Sequence, residues 1–210
     1  MQEFVALAGI IGALAVGVVS PGPSFVMVAR LAVATSRANG LGAAVGMGVG
    51  GVVFAVAALL GLQAVLLAVP AVYLALKLLG GLYLCYLGFR IFQAAKVPLT
   101  VEGSGQSVSS PQSRSFWLGL TTQISNPKTA IVYASVFAAF LPGTYSPSFV
   151  AVLLLVVFVI EAGWYAIVAT MLSSSRPRRA YLGCKAWVDR AAGLVMIGLG
   201  LKLVASAHKA

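Results

Sequence analysis

Apolar stretches of about twenty or more residues recur along this chain, and two of them, half a chain apart, are broken by proline. The breaks read Ser20-Pro21-Gly22-Pro23 and Ser125-Asn126-Pro127-Lys128. Proline lacks a backbone N–H and its ring clashes with the preceding turn, so each signature ends or kinks its helix. Inside a bilayer, broken backbone survives only where protein buries it or where it lines a watery cavity. Interruptions at matching places in the two halves of a membrane chain point to a transporter's binding site.

Composition agrees. Of 210 residues, 60% are hydrophobic and 9% charged, with a mean hydropathy of +1.02. A soluble domain carries about a quarter charged residues. The expected class is an all-α integral membrane protein whose surroundings are a lipid bilayer. A formal net charge of +10 invites a nucleic-acid reading, but the basic residues form no single patch. They recur in short connections between apolar spans, which is the signal of membrane orientation. The first charge is Glu3 and the first apolar run is long, so no cleavable signal peptide is expected. Cys85 and Cys184 sit in different segments without CxxC spacing, which predicts neither a disulfide nor a metal site. With His208 as the one histidine and no nucleophile–base pair, no catalytic residue, metal or cofactor is expected.

A membrane helix needs roughly 20 apolar residues. Six spans are expected, at about 4–29, 41–62, 70–92, 116–141, 147–172 and 187–206. Basic residues mark the first, third and fifth connections: Arg30 and Arg37; Arg90, Lys96 and Arg114; Arg176, Arg178, Arg179, Lys185 and Arg190. The connections near Gln63 and Gly143–Pro147 carry no charge. The positive-inside rule places both termini outside the cytoplasm. Residues 94–115, rich in Ser, Gly, Pro and Gln, read as a flexible cytoplasmic linker. They separate a first three-helix repeat (1–93) from a second (116–210). Gly81-Leu82, Leu87-Gly88 and Arg90 in the third span match Gly193-Leu194, Leu199-Gly200 and Lys202 in the sixth at the same spacing. Three helices per half is an odd number, so the halves must be inverted. The expectation is a 3+3 inverted repeat with broken first and fourth helices. Small residues at four-residue spacing (Gly9, Ala13, Gly17; Gly42, Gly46, Gly50) let helices approach closely. They suit internal packing, with a homodimer contact as the competing use.

After each break a new half-helix begins, expected at Ser24 and Thr129. Free N–H groups and positive dipole ends would point into the protein there and cradle a carboxylate. Candidate substrate-binding residues are therefore Ser20, Pro21, Gly22, Pro23 and Ser24 at one break, and Asn126, Pro127, Lys128 and Thr129 at the other. Glu161 lies near the middle of the fifth span, where a carboxylate is expensive and is a functional candidate by default. It can bind and release protons, and Trp164 and Tyr165 follow at i+3 and i+4 to help hold an ammonium. The bland alternative is a permanent ion pair with Lys128. Lys77 and Asp189 read as interfacial.

The run SPGPSFVMVARLAVATSRANGLGAAVGMGVG resembles the N-terminal signature of the LysE/RhtB family of amino-acid exporters, NPKTAIVYASVFAAFLP its second signature, and KLLGGLYLCYLGFRIF its third helix. The similarity runs over essentially the whole chain. It implies a bacterial inner-membrane exporter of amino acids or close derivatives, driven by the proton gradient, with a small zwitterion and protons as its partners. The chain has Ser20 where the family often has Thr, keeps only Arg37 of a Gly-Arg-Arg run, and carries Glu161 where Asp is frequent. Two other readings compete: a passive small-solute channel, which needs no titratable group at mid-depth, and a membrane thiol-redox electron carrier, which needs paired cysteines beside the breaks.

Overall fold

The computed structural model describes residues 1–20, 22–68, 70–96 and 112–207. Among these, every regular element is an α-helix: α1 Gln2–Val19, α2 Pro23–Ala34, α3 Arg37–Ala68, α4 Pro70–Ala94, α5 Gln112–Ile124, α6 Pro127–Phe140, α7 Pro147–Leu172 and α8 Ser175–Ala207. Three stretches are long and apolar enough to cross a membrane, Gln2–Val19, Arg37–Gly61 and Pro147–Leu172. Pro23–Val33, Leu78–Ala94 and Pro127–Phe140 are apolar but shorter.

Both proline signatures interrupt their helices. α1 stops at Val19 and leaves Ser20 extended, and α5 stops at Ile124 just before Asn126, also extended. The next helices open on Pro23 and Pro127, slightly earlier than expected. Proline suits the first helical turn because its missing N–H would have had no partner there. Pro21 lies outside the described residues.

Several boundaries differ from the sequence reading. α3 runs Arg37–Ala68, so Arg37 and the expected connection near Gln63 fall within a helix, because a helix that satisfies its own backbone can outrun its apolar stretch. α8 begins at Ser175, so Arg176, Arg178, Arg179, Lys185 and Arg190 belong to a helix rather than to a connection. An α-helix satisfies its own backbone, so it can run past the end of its apolar stretch with basic side chains on it. Likewise α5 takes in residues 112–115 of the expected linker, and residues 97–111 lie outside the described ones.

Asp189, expected near an edge, is buried. It accepts from Lys185 one turn earlier at 2.7 Å, and Lys185 Nζ also reaches the carbonyl of Ala94 at the end of α4, at 3.4 Å. The pair is taken out of lipid together because both side chains share the α8 face turned to α4. Lys77 sits in α4, with its side chain outside the described residues.

α3 packs along α5 and α7, and α4 along α8. Glycine makes these approaches close. A Cβ on Gly88 would lie 2.5 Å from the Gly193 carbonyl oxygen, and one on Gly193 2.6 Å from that of Gly88. Gly81 and Gly200 repeat the exchange further along, at 2.9 and 2.5 Å. Gly42 and Gly46 face the α5 backbone and Gly50 the Gln123 side chain, while Gly9 faces the Phe140 ring and Gly17 faces Met196 and Val132. Both small-residue stripes are thus occupied by the chain's own helices. Two apolar clusters form, one around Ile10, Leu84, Phe137, Leu153 and Met196, the other around Phe25, Val28, Met47, Val168 and Leu172.

Candidate functional site

The two breaks, joined by α1 and α7, meet at one cavity. Ser20, Gly22 and Ser24 line it from the first break, and Gln123, Asn126, Lys128 and Thr129 from the second. Leu14, Gly17 and Val18 close it from α1, Val132 and Tyr133 from α6, and Glu161 and Tyr165 from α7. Its volume is about 20 Å³. By that measure it has room for about one water, so an amino acid enters only if the walls part.

Each polar group in the wall has a reason to be there. Asn126 caps α6: its side-chain oxygen accepts the Lys128 N–H at 3.0 Å, meeting one of the amides that the start of a helix leaves open. Its amide group donates to Ser24 Oγ at 2.9 Å, which ties the start of α6 to the start of α2. Gly22, the cap position of α2, makes no side-chain cap. Lys128 Nζ donates to the Ser20 main-chain oxygen at 2.7 Å, a carbonyl freed because the chain leaves the helix there. Ser20 Oγ is buried with no hydrogen-bond partner. An ammonium resting on a carbonyl and a buried hydroxyl without a partner, both beside the positive end of α2, are the groups that would receive a carboxylate.

Glu161, 4% exposed, faces the other side. Tyr133 OH donates to its Oε1 at 2.9 Å and Gln123 Nε2 to its Oε2 at 3.0 Å. The two oxygens are held by neutral donors, and the ion pair found among the described residues is Lys185–Asp189. The permanent Glu161–Lys128 pair is therefore not formed, because Lys128 is turned to Ser20. Gly51 on α3 makes room for the carboxyl: a Cβ there would lie 2.8 Å from Glu161 Cγ and 2.9 Å from Tyr133 OH.

Trp164 does not line the cavity. It packs with the second apolar cluster, and its Nε1 is buried without a partner. Pro23 and Pro127 shape the breaks as first residues of their helices but are absent from the wall. Cys85 sits at the α4–α8 seam, its Sγ donating to the Ile197 carbonyl at 3.6 Å, and is not part of the cavity.

The family model for LysE type translocators matches residues 15–207, a stretch that holds both breaks and Glu161. The chain belongs to the LysE type translocator family. This LysE type translocator is 31% identical to the threonine efflux protein of Escherichia coli K12 over 192 residues, covering 91% of this chain and 93% of the relative. The threonine efflux protein of Salmonella typhi matches with the same identity and coverage. The leucine efflux protein of Klebsiella pneumoniae is 28% identical over 121 residues, 58% of this chain and 56% of its own. No solved structure matches the translocator. Sequence reasoning missed two of its wall residues, Gln123 and Tyr133, which hold Glu161. Gln123 left a signal, as an amide inside an apolar helix next to the second break, where a polar side chain needs a partner on another helix. Tyr133 left none that separates it from an ordinary core aromatic.

Proposed function

We propose that this translocator exports small neutral amino acids, or close derivatives, from the cytoplasm across the bacterial inner membrane in exchange for protons. The observation that carries this reading is one tight cavity, at two helix breaks, with a carboxyl on one side and an ammonium on the other. The substrate carboxylate takes the place of the Ser20 carbonyl on Lys128 and meets the Ser20 hydroxyl, near the positive end of α2. The substrate ammonium and the exchanged proton compete for Glu161, and such competition for one carboxylate produces antiport. One acid in the cavity suits a neutral amino acid better than a dibasic one. The names of the relatives, threonine and leucine efflux proteins, support an amino acid and make L-threonine the first probe.

The working architecture is two inverted halves, 1–93 and 116–210, that rock about the cavity for alternating access. α1–α2 and α5–α6 each act as one broken crossing, six crossings in all, with both termini outside the cytoplasm. The matched breaks support it. So do the glycine contacts: Gly81 meets Gly200 and Gly88 meets Gly193, the exchange that a two-fold axis between α4 and α8 produces. A homodimer would have to use faces other than the small-residue stripes.

The test is uptake of labelled L-threonine and L-leucine into everted vesicles, with and without an imposed pH gradient. Wild type accumulates one of them only with the gradient, and Glu161→Gln, inserted to the same level, does not. Equal gradient-driven accumulation by the variant refutes the role of Glu161. Accumulation that ignores the gradient in wild type refutes antiport and favours a passive path.

A further inference from the structure

The hydrogen bonds of the cavity wall run in one direction. The Lys128 N–H donates to Asn126 Oδ1, Asn126 Nδ2 donates to Ser24 Oγ, Ser24 Oγ donates to Gln123 Oε1 at 2.8 Å, and Gln123 Nε2 donates to Glu161 Oε2. The order is forced from both ends. A backbone N–H can only donate, and an ionised carboxylate can only accept. Every intermediate group is buried, so water cannot step in to repair a reversed link. Four helices are joined by this line: α6, α2, α5 and α7.

We infer that Gln123 is the positioning residue that couples the charge on Glu161 to the start of α6 and to the bond between the two breaks. The inference rests on the reading of Glu161 as the proton carrier. When the carboxylate takes up a proton, one oxygen becomes an O–H that needs an acceptor in this buried wall and is itself a weaker acceptor. Tyr133 is closed in by Gly51, and Glu161 is the acceptor for its proton, so it stays a donor. The change falls on Gln123, whose amide must turn to present its oxygen. Ser24 Oγ then accepts from Gln123 and gives its own proton to Asn126. Asn126 turns in its turn and brings an NH₂ group against the Lys128 N–H. The α6 cap is lost, and the bond across the breaks is reversed. The remaining titratable groups around Glu161 in the cavity are Lys128 on α6 and Tyr165 on α7, whose side chain is also a hydrogen-bond partner of Ser24; α1, α2, α3 and α5 bring none to the wall.

The experiment is hydrogen–deuterium exchange of the first turn of α6 in the full-length protein in lipid nanodiscs. It compares acid with alkaline pH after correction for the pH dependence of chemical exchange itself, and needs neither substrate nor gradient. In wild type the turn exchanges roughly three- to tenfold faster at acid pH, the factor carried by one net hydrogen bond. Glu161→Gln, fixed in a neutral form, exchanges at the fast rate at both pH values. Gln123→Met, of similar size but without the amide, shows no pH dependence, and adding Glu161→Gln to it changes nothing. Ser24→Ala cuts the line one link further on and behaves in the same way, which keeps the test intact if Gln123→Met does not fold. The inference is overturned if the wild-type turn ignores pH, or if its pH dependence survives in Gln123→Met or in Ser24→Ala. Export is read separately in vesicles, so either result can fail alone.

Discussion

Replacing Gly88 by alanine tests the α4–α8 seam, because it sets two opposing effects against each other. Alanine is the better helix former by about 1 kcal/mol in a helix interior. At Gly88 its methyl would lie 2.5 Å from the Gly193 carbonyl oxygen and 2.9 Å from both the Ile197 backbone nitrogen and its Cγ1. Carbon and carbonyl oxygen rest at about 3.3–3.6 Å, so the helices must part by about 1 Å. Two of the three obstructing atoms are backbone, and no rotamer change moves them. Overpacking of this kind costs about 1–3 kcal/mol, and a gap of that width forfeits about a quarter to a half of the dispersion along the seam. Gly163 in α7 has nothing within 4 Å of its Cβ position, so Gly163→Ala shows the propensity gain alone. The propensity gain is common to both, so the two variants should differ by about 1–3 kcal/mol. For a chain of this length that is roughly 2–12 °C between their melting temperatures, read by thermal denaturation of the purified protein in one detergent. Gly193→Ala relieves its clash through the same separation, so the double variant should cost less than the sum. Gly88→Ala melting as high as Gly163→Ala, or full additivity within about 0.5 kcal/mol, would refute the close approach.

Lys185→Met should be strongly destabilising, by about 3–5 kcal/mol, because it leaves Asp189 buried without its cation, and adding Asp189→Leu should restore most of the melting temperature. A Lys185→Met protein as stable as wild type would mean that the pair is not buried in the membrane. Lys128→Met should raise the KM for the transported amino acid about tenfold or more, since a hydrogen bond to a charged group carries about 1.5–3 kcal/mol. An unchanged KM would remove Lys128 from carboxylate binding.

The breaks were legible because proline acts locally: Pro127 ends a helix whatever surrounds it. So was the place of Glu161 at a cavity rather than against lipid, since the cost of a carboxylate in an apolar span does not depend on its neighbours. The direction in which a side chain points around its helix was harder to read. Trp164 at i+3 and Tyr165 at i+4 lie about 60° and 40° to either side of Glu161 at 3.6 residues per turn. Nothing local decides which of the two turns with it, and the structure gives Tyr165 to the cavity and Trp164 to the packing. Tyr133 and Gln123 belong to the site because α6 and α5 dock against α7 and α2, a tertiary fact that one chain's spacing does not encode. The start of α8 was misread because basic residues mark where lipid ends, and a helix is free to continue past that point.

The tightness of the cavity has a consequence for the cell as well as for the substrate. A bacterial membrane is a capacitor, and each protein embedded in it is a place where the stored charge can leak. With about 20 Å³ between the breaks, there is room for about one water and none for the file of waters along which protons hop. A cavity this tight offers no continuous file of waters between the breaks. Under the proposed exchange of amino acid for protons, a cell could keep many copies in place through long periods without surplus amino acid, and the gradient would be drawn on only when cargo forces the walls apart.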